Sequence, residues 1–273
     1  MKFLSIILLT FRESFAKKTF VGFLSISTII LLLFIFALNL DIVDGAQSAV
    51  SVFGIQSPEL VELETVILGV QSAVAVMLFT GGLFMALFAT SNLIPNMLKP
   101  GFIDLFISKP VSRLQILSGR FLGAISIVAF NITYLIIGTW LILSLKTGFW
   151  ESGLLMGGIM IIVTFVILYS LMTFLGLITR SGPFALMFTY LVIFFSPFLL
   201  QRDNIYALLS SPFYGHFIDG IYYILPKPAE LGAITQQLVS GNDVYSWMPL
   251  WSSLLFAAVI YAVSSFIFSK KNF

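Results

Sequence analysis

Six stretches of about twenty residues contain no Asp, Glu, Lys, Arg or His: roughly 20–40, 66–90, 121–145, 153–179, 183–200 and 248–268. An α-helix of that length crosses the hydrocarbon core of a bilayer, and in hydrocarbon every backbone N–H and C=O must be paired internally, so each stretch is expected to be a membrane-spanning helix. A water-soluble fold is excluded by supply. Only 10% of the residues are charged, against about 25% in an ordinary soluble domain. With 59% apolar residues and 29 Phe, the polar side chains are too few to cover a surface in water. The expected fold is an all-α integral membrane bundle of six transmembrane helices, with residues 1–19 an interfacial helix and residues 20–273 one six-span domain.

Lys and Arg collect on the cytoplasmic side of a membrane. With the N-terminus inside, the cytoplasmic segments hold eleven of the 14 basic residues, leaving Lys146, Arg202 and Lys227 outside. Ten of the 12 acids then lie outside, with only Glu13 and Asp104 inside. Both termini are expected to be cytoplasmic. Lys2 ahead of the apolar run 3–9 has the outline of a signal peptide, but no small-residue cleavage site follows, and Arg12, Glu13, Lys17 and Lys18 come at once. Phe3, Ile7, Phe11 and Phe15 recur at helical spacing instead, as in an amphipathic helix lying in the interface.

The loop at about 41–65 carries the acids Asp41, Asp44, Glu59, Glu62 and Glu64. It reads as a solvated loop or as a cation-attracting mouth, without the spacing of a calcium loop. The segment at about 201–247 is long and rich in aromatics, as expected of chain folded against the membrane. Within it, Pro228, Glu230 and the terminal Gly241 mark a short helix. His216, the only histidine, reads as an interfacial residue. The absence of cysteine removes disulfides, thiolate metal sites and cysteine nucleophiles. Gly153 and Gly157 form a small-xxx-small pair, for packing within the chain or for a dimer contact.

The loop from Asn96 to Arg120 is the most informative. Pro110 ends a short apolar helix over 102–107, because the residue before proline avoids the helical region. Ser112 with Gln115 three positions on is a capping box opening a second helix, which runs through Arg120 into the third span. Phe102, Leu105 and Phe106, beside Asp104, Lys109 and Arg113, present an apolar, charge-rimmed knob that needs a partner.

The run GFIDLFISKPVSRLQILSGRFLG over 101–123 resembles the signature of type-2 ABC transporter permeases, the membrane subunits of bacterial exporters. The order of interfacial helix, six spans, long external segment before the last span and basic tail fits the same family, and YYILPKPAEL over 222–231 is similar to what some members carry there. Among members, the permeases that accompany copper-enzyme maturation look closest. Many members carry acids ahead of the coupling segment, whereas residues 94–99 have none.

The resemblance implies that Phe102, Asp104, Leu105 and Phe106 belong to a coupling helix docked on a separate cytoplasmic ATPase, with Lys109, Pro110 and Arg113 fixing the corner behind it. It implies a second permease copy or paralogue as partner, the bilayer as surroundings, and an accessory protein outside the membrane in the copper-maturation branch. It also implies the bacterial inner membrane as location. The chain holds no phosphate loop of the form G-x-x-x-x-G-K-[ST], so no cofactor is expected in it. ATP and Mg would sit in the partner, and this chain would not be an enzyme. The function implied is ATP-driven export, or force transmission to an external partner.

An ion-coupled secondary transporter is the main alternative, and a non-transporting assembly subunit the second. Ion coupling ordinarily needs titratable groups at membrane depth, and the six stretches offer only residues such as Gln71, Thr80, Asn131, Thr133, Thr164, Ser170 and Thr173, expected to hydrogen-bond between helices. Nucleic-acid binding has no support in a net charge of +2.

Overall fold

A computed structural model describes residues 2–16, 18–36, 38–43, 47–52, 55–56, 61–99, 112–202 and 212–270. Helix α1 (Lys2–Ala16) is followed by α2 (Thr19–Phe36), and the two meet at a bend of 70°. Helices α3 (Leu63–Met77), a π turn (Leu78–Gly82), α4 (Leu83–Thr90) and α5 (Leu93–Met97) form one nearly continuous apolar run. Then come α6 (Arg113–Thr147), α7 (Gly153–Thr179), α8 (Gly182–Leu200), α9 (Pro212–Ile224), α10 (Pro228–Val239) and α11 (Met248–Lys270).

Among the described residues, five runs are long and apolar enough to cross a membrane: Glu64–Met97, Arg113–Thr147, Gly153–Thr179, Gly182–Leu200 and Met248–Lys270. The bent pair α1–α2 makes a sixth only when counted together. The chain is thus a largely helical, multi-pass membrane protein.

Three boundaries differ from the sequence reading. The first apolar stretch does not stay helical to residue 40: α2 stops at Phe36 and the chain enters strand β1 (Leu38–Val43). Strand β1 pairs antiparallel with β2 (Gln47–Val52), from Leu38 opposite Val52 to Val43 opposite Gln47. Two-residue strands β3 (Ile55–Gln56) and β4 (Val61–Glu62) both pair with β2. The expected loop over 41–65 therefore contains a small sheet. Apolar and polar residues alternate from Leu38 to Ile42, and that period of two suits a pleated strand. The second span is also longer than 66–90, and the third extends at both ends beyond 121–145.

Helix α7 is the hub. It packs against α6, α8, α10 and α11, and 67% of its most apolar window is buried within the chain, against 17% for α11. Gly153 and Gly157 explain the close approach of α10. A Cβ on Gly153 would lie 2.6 Å from the Leu238 carbonyl oxygen, and one on Gly157 would lie 2.5 Å from a Val239 methyl. The small-xxx-small pair thus serves packing within the chain.

Most span hydroxyls bond within their own helix rather than between helices. Thr80 donates to the carbonyl of Val76, Thr164 to that of Met160 and Ser170 to that of Ile167, each at 2.7–2.8 Å. A short side chain in a helix reaches the carbonyl three or four residues back more easily than a neighbouring helix.

Candidate functional site

The knob residues Phe102, Asp104, Leu105, Phe106, Lys109 and Pro110 lie outside the described residues. Arg113 does not, and the structure defines the frame from which that segment emerges, here called the base. On the entering side, Ile94, Pro95, Met97 and Leu98 are buried, and Pro95 abuts Gly176 of α7, where a Cβ would come within 3.2 Å of the proline ring. On the leaving side stands the expected capping box. The Gln115 N–H donates to Ser112 Oγ at 3.2 Å, and the Ser112 N–H donates to Gln115 Oε1 at 3.1 Å. Two of the orphan donors at the start of α6 are satisfied in this way. Arg113 donates from its guanidinium to the Ser269 carbonyl at 3.2 Å, tying the first turn of α6 to the last turn of α11. The Tyr261 hydroxyl donates to Ser118 Oγ, or accepts from it, at 2.8 Å, linking the same two helices further in.

The amphipathic helix is built into this base. Gly119 and Gly123 of α6 leave room for α1: a Cβ at either position would lie 2.8 Å from Ile6 or Thr10. Ile6, Thr10 and Ser14 are buried along the seam, while Leu4, Leu8, Leu9 and Phe15 face outward. Arg120 is wholly buried and forms an ion pair with Glu13 of α1. Beneath the pair, Phe121, Phe165 and Tyr169 stack ring on ring at 5.3 and 5.4 Å, closing the charges off from the interior. The sequence reading counted Arg120 among the loop cations and did not see this pair. The usable signal was that Glu13 is one of only two acids on the basic side of the chain.

The opposite end holds the three cations left over from the orientation argument, and each has a structural task. The Lys146 ammonium donates to the carbonyls of Phe34 and Ile35, at 3.2 and 2.7 Å. It thereby caps the negative end of α2. Arg202 stacks on the Tyr222 ring at 3.7 Å and pairs with Asp219 at 3.6 Å.

Lys227 sits at the tip between α9 and α10, 4% exposed. Its ammonium donates to Ser252 Oγ at 2.9 Å and its backbone N–H to Ser253 Oγ at 3.1 Å. The Ala229 N–H donates to Ser196 Oγ at 2.9 Å, and a Cβ on Gly232 would strike the Phe79 ring. Helices α9 and α10 are therefore a hairpin whose tip is inserted between α8 and α11. The short helix expected from Pro228, Glu230 and Gly241 is α10 itself, and Gly241 follows it with φ at +69°. Burial lowers the Lys227 pKa, partly opposed by the nearby Glu230 carboxylate, and burial raises that of Tyr222. The side chain of His216, in α9, lies outside what is described.

Among the described residues there is no group of His, Asp and Glu placed to hold a metal ion. Scans of the sequence against protein-family models and against curated proteins return no match.

Proposed function

We propose that this chain is the permease subunit of an ATP-driven exporter of the ABC type, six-spanning, with α2 as the first span, α1 in the cytoplasmic interface and both termini cytoplasmic. In this reading the 102–107 segment docks on a separate ATPase in the cytosol, and two permease copies or paralogues rock against one another as that ATPase closes on ATP. Movement enters at the knob and passes into α6 and α11 through the base, and the outcome is export or force delivered to a partner outside the membrane.

The observation that carries the reading is the 101–123 run, whose apolar Phe102, Leu105 and Phe106 precede in sequence a helix start gripped by the capping box and by the Arg113–Ser269 bond. A rigid α6 start is what a push on residues 102–107 would require. The absence of a phosphate loop fits an energy source in another subunit.

The test uses the tagged full chain purified from its own membrane. It should bring an ATPase with it, and Phe102→Ala with Phe106→Ala should remove that ATPase while insertion into the membrane is unchanged. A wild-type preparation without any ATPase, or a double variant that retains it, would overturn the proposal.

A further inference from the structure

The run from α3 to α5 is not regular throughout. At the π turn the Leu83 N–H points to the carbonyls of Leu78 and Thr80, five and three residues back, and not to the carbonyl four back that an α-helix uses. The Thr80 hydroxyl takes a further carbonyl, that of Val76 at 2.7 Å, and such back-bonding bends helices. Gly81 and Gly82 follow, with no side chain to restrict the backbone. No residue of the turn is buried. A turn whose hydrogen bonds are divided between two registers is a weak place in a helix, of the kind at which helices kink and hinges recur.

The two sides of the turn are held unequally. On the α4–α5 side the Tyr190 hydroxyl of α8 donates to the Phe84 carbonyl at 2.6 Å, the Tyr190 and Phe194 rings lie 4.5 and 5.5 Å from that of Phe84, and a Cβ on Gly182 would strike Asn92. On the α3 side, among the described residues, the side-chain hydrogen bond to another element is Ser72 with Ser240, at a long 3.4 Å, and the wholly buried Gln71 amide has no partner for either of its polar atoms. The turn is also flanked by open volume. A cleft of about 250 Å³ lies against Val74, Met77 and Gly81, toward α2 and α6. A second, of about 330 Å³, lies against Ala75, Val76 and Thr80, toward α10. At 100° per residue these are opposite faces of the run, so a sideways movement of α3 in either direction meets a cleft and not packed protein.

We propose that this span is jointed at the π turn: α3 swings between the two clefts, narrowing one as it widens the other, while α4 and α5 stay fixed to α7 and α8. The inference rests on no part of the ATPase-coupling reading and is tested on the full chain by itself.

The chain has no cysteine of its own, so pairs of spin labels can be placed on it without background, and their separations read by double electron–electron resonance in phosphatidylcholine nanodiscs. Gly69→Cys on α3 is paired with Met187→Cys on α8, and the control pairs Phe88→Cys on α4 with the same Met187→Cys; all three positions face outward. The α3 pair should show two separations and the α4 pair one. Gly81→Ala stiffens the turn without a clash, since nothing lies within 4 Å of where the Cβ would stand. It should reduce the less populated of the two α3 separations about fivefold, the margin of one glycine-to-alanine exchange in a helix. A single separation for the α3 pair as narrow as that of the control, an α4 pair as heterogeneous as the α3 pair, or unchanged proportions in Gly81→Ala would each overturn the proposal. Were Gly81→Ala to misfold, the comparison of the two pairs would still decide.

Discussion

Glu13 and Arg120 carry the sharpest energetic consequence of any single pair. Arg120 is closed off from solvent and meets the Glu13 carboxylate of α1 as an ion pair. Removing one partner of a buried pair leaves the other uncompensated and costs about 3 kcal/mol, whereas replacing both with apolar residues of similar size is close to neutral. Glu13→Gln should therefore lower the unfolding free energy in mixed micelles by about 3 kcal/mol, and Glu13→Leu combined with Arg120→Met should recover most of it. A double variant no better than the single one would mean that the ion pair is not what holds α1. The pair was only half legible in the sequence. The scarcity of acids on the basic side singles out Glu13, but 107 positions separate the partners, and no local pattern spans that distance.

Among the elements, legibility follows the range of the interactions that define each one. The start of α6 and the extent of α10 were readable because caps and helix stops act within a turn of the end they mark: Ser112 with Gln115 at the start of α6, Pro228 at the start of α10 and Gly241 just past its end. The sheet after α2 was missed because the apolar run carries on past Phe36 and masks the change of period that begins at Leu38. The insertion of the α9–α10 hairpin was not readable at all, since its depth is set by Phe79, Ser196, Ser252 and Ser253 from three other parts of the chain. The glycine seam between α7 and α10 tests that packing. Gly157→Ile should wedge the two helices apart at a cost of about 2–3 kcal/mol, measured by unfolding. Gly69→Ala, at a position with nothing within 4 Å, should be neutral or slightly stabilising.

At the scale of the whole molecule, the arrangement of charge separates the proposed function from its main rival. The interior charge described, Arg120, is paired with Glu13 at the base, and Lys227 is held at the inserted tip of the opposite hairpin. The middle third of the bundle offers hydroxyls and amides at positions such as Ser27, Asn131 and Thr164. A proton or sodium relay would require titratable groups there. In vesicles containing the complex, turnover should follow ATP and persist when an uncoupler collapses the proton gradient; arrest by the uncoupler at constant ATP would favour ion coupling.

The seat of the hairpin also fixes an order of events during biosynthesis. Its tip is gripped by Ser252 and Ser253, which leave the ribosome about 25 residues after Lys227. A nascent chain must therefore hold Lys227 without its seat until α11 arrives to receive it.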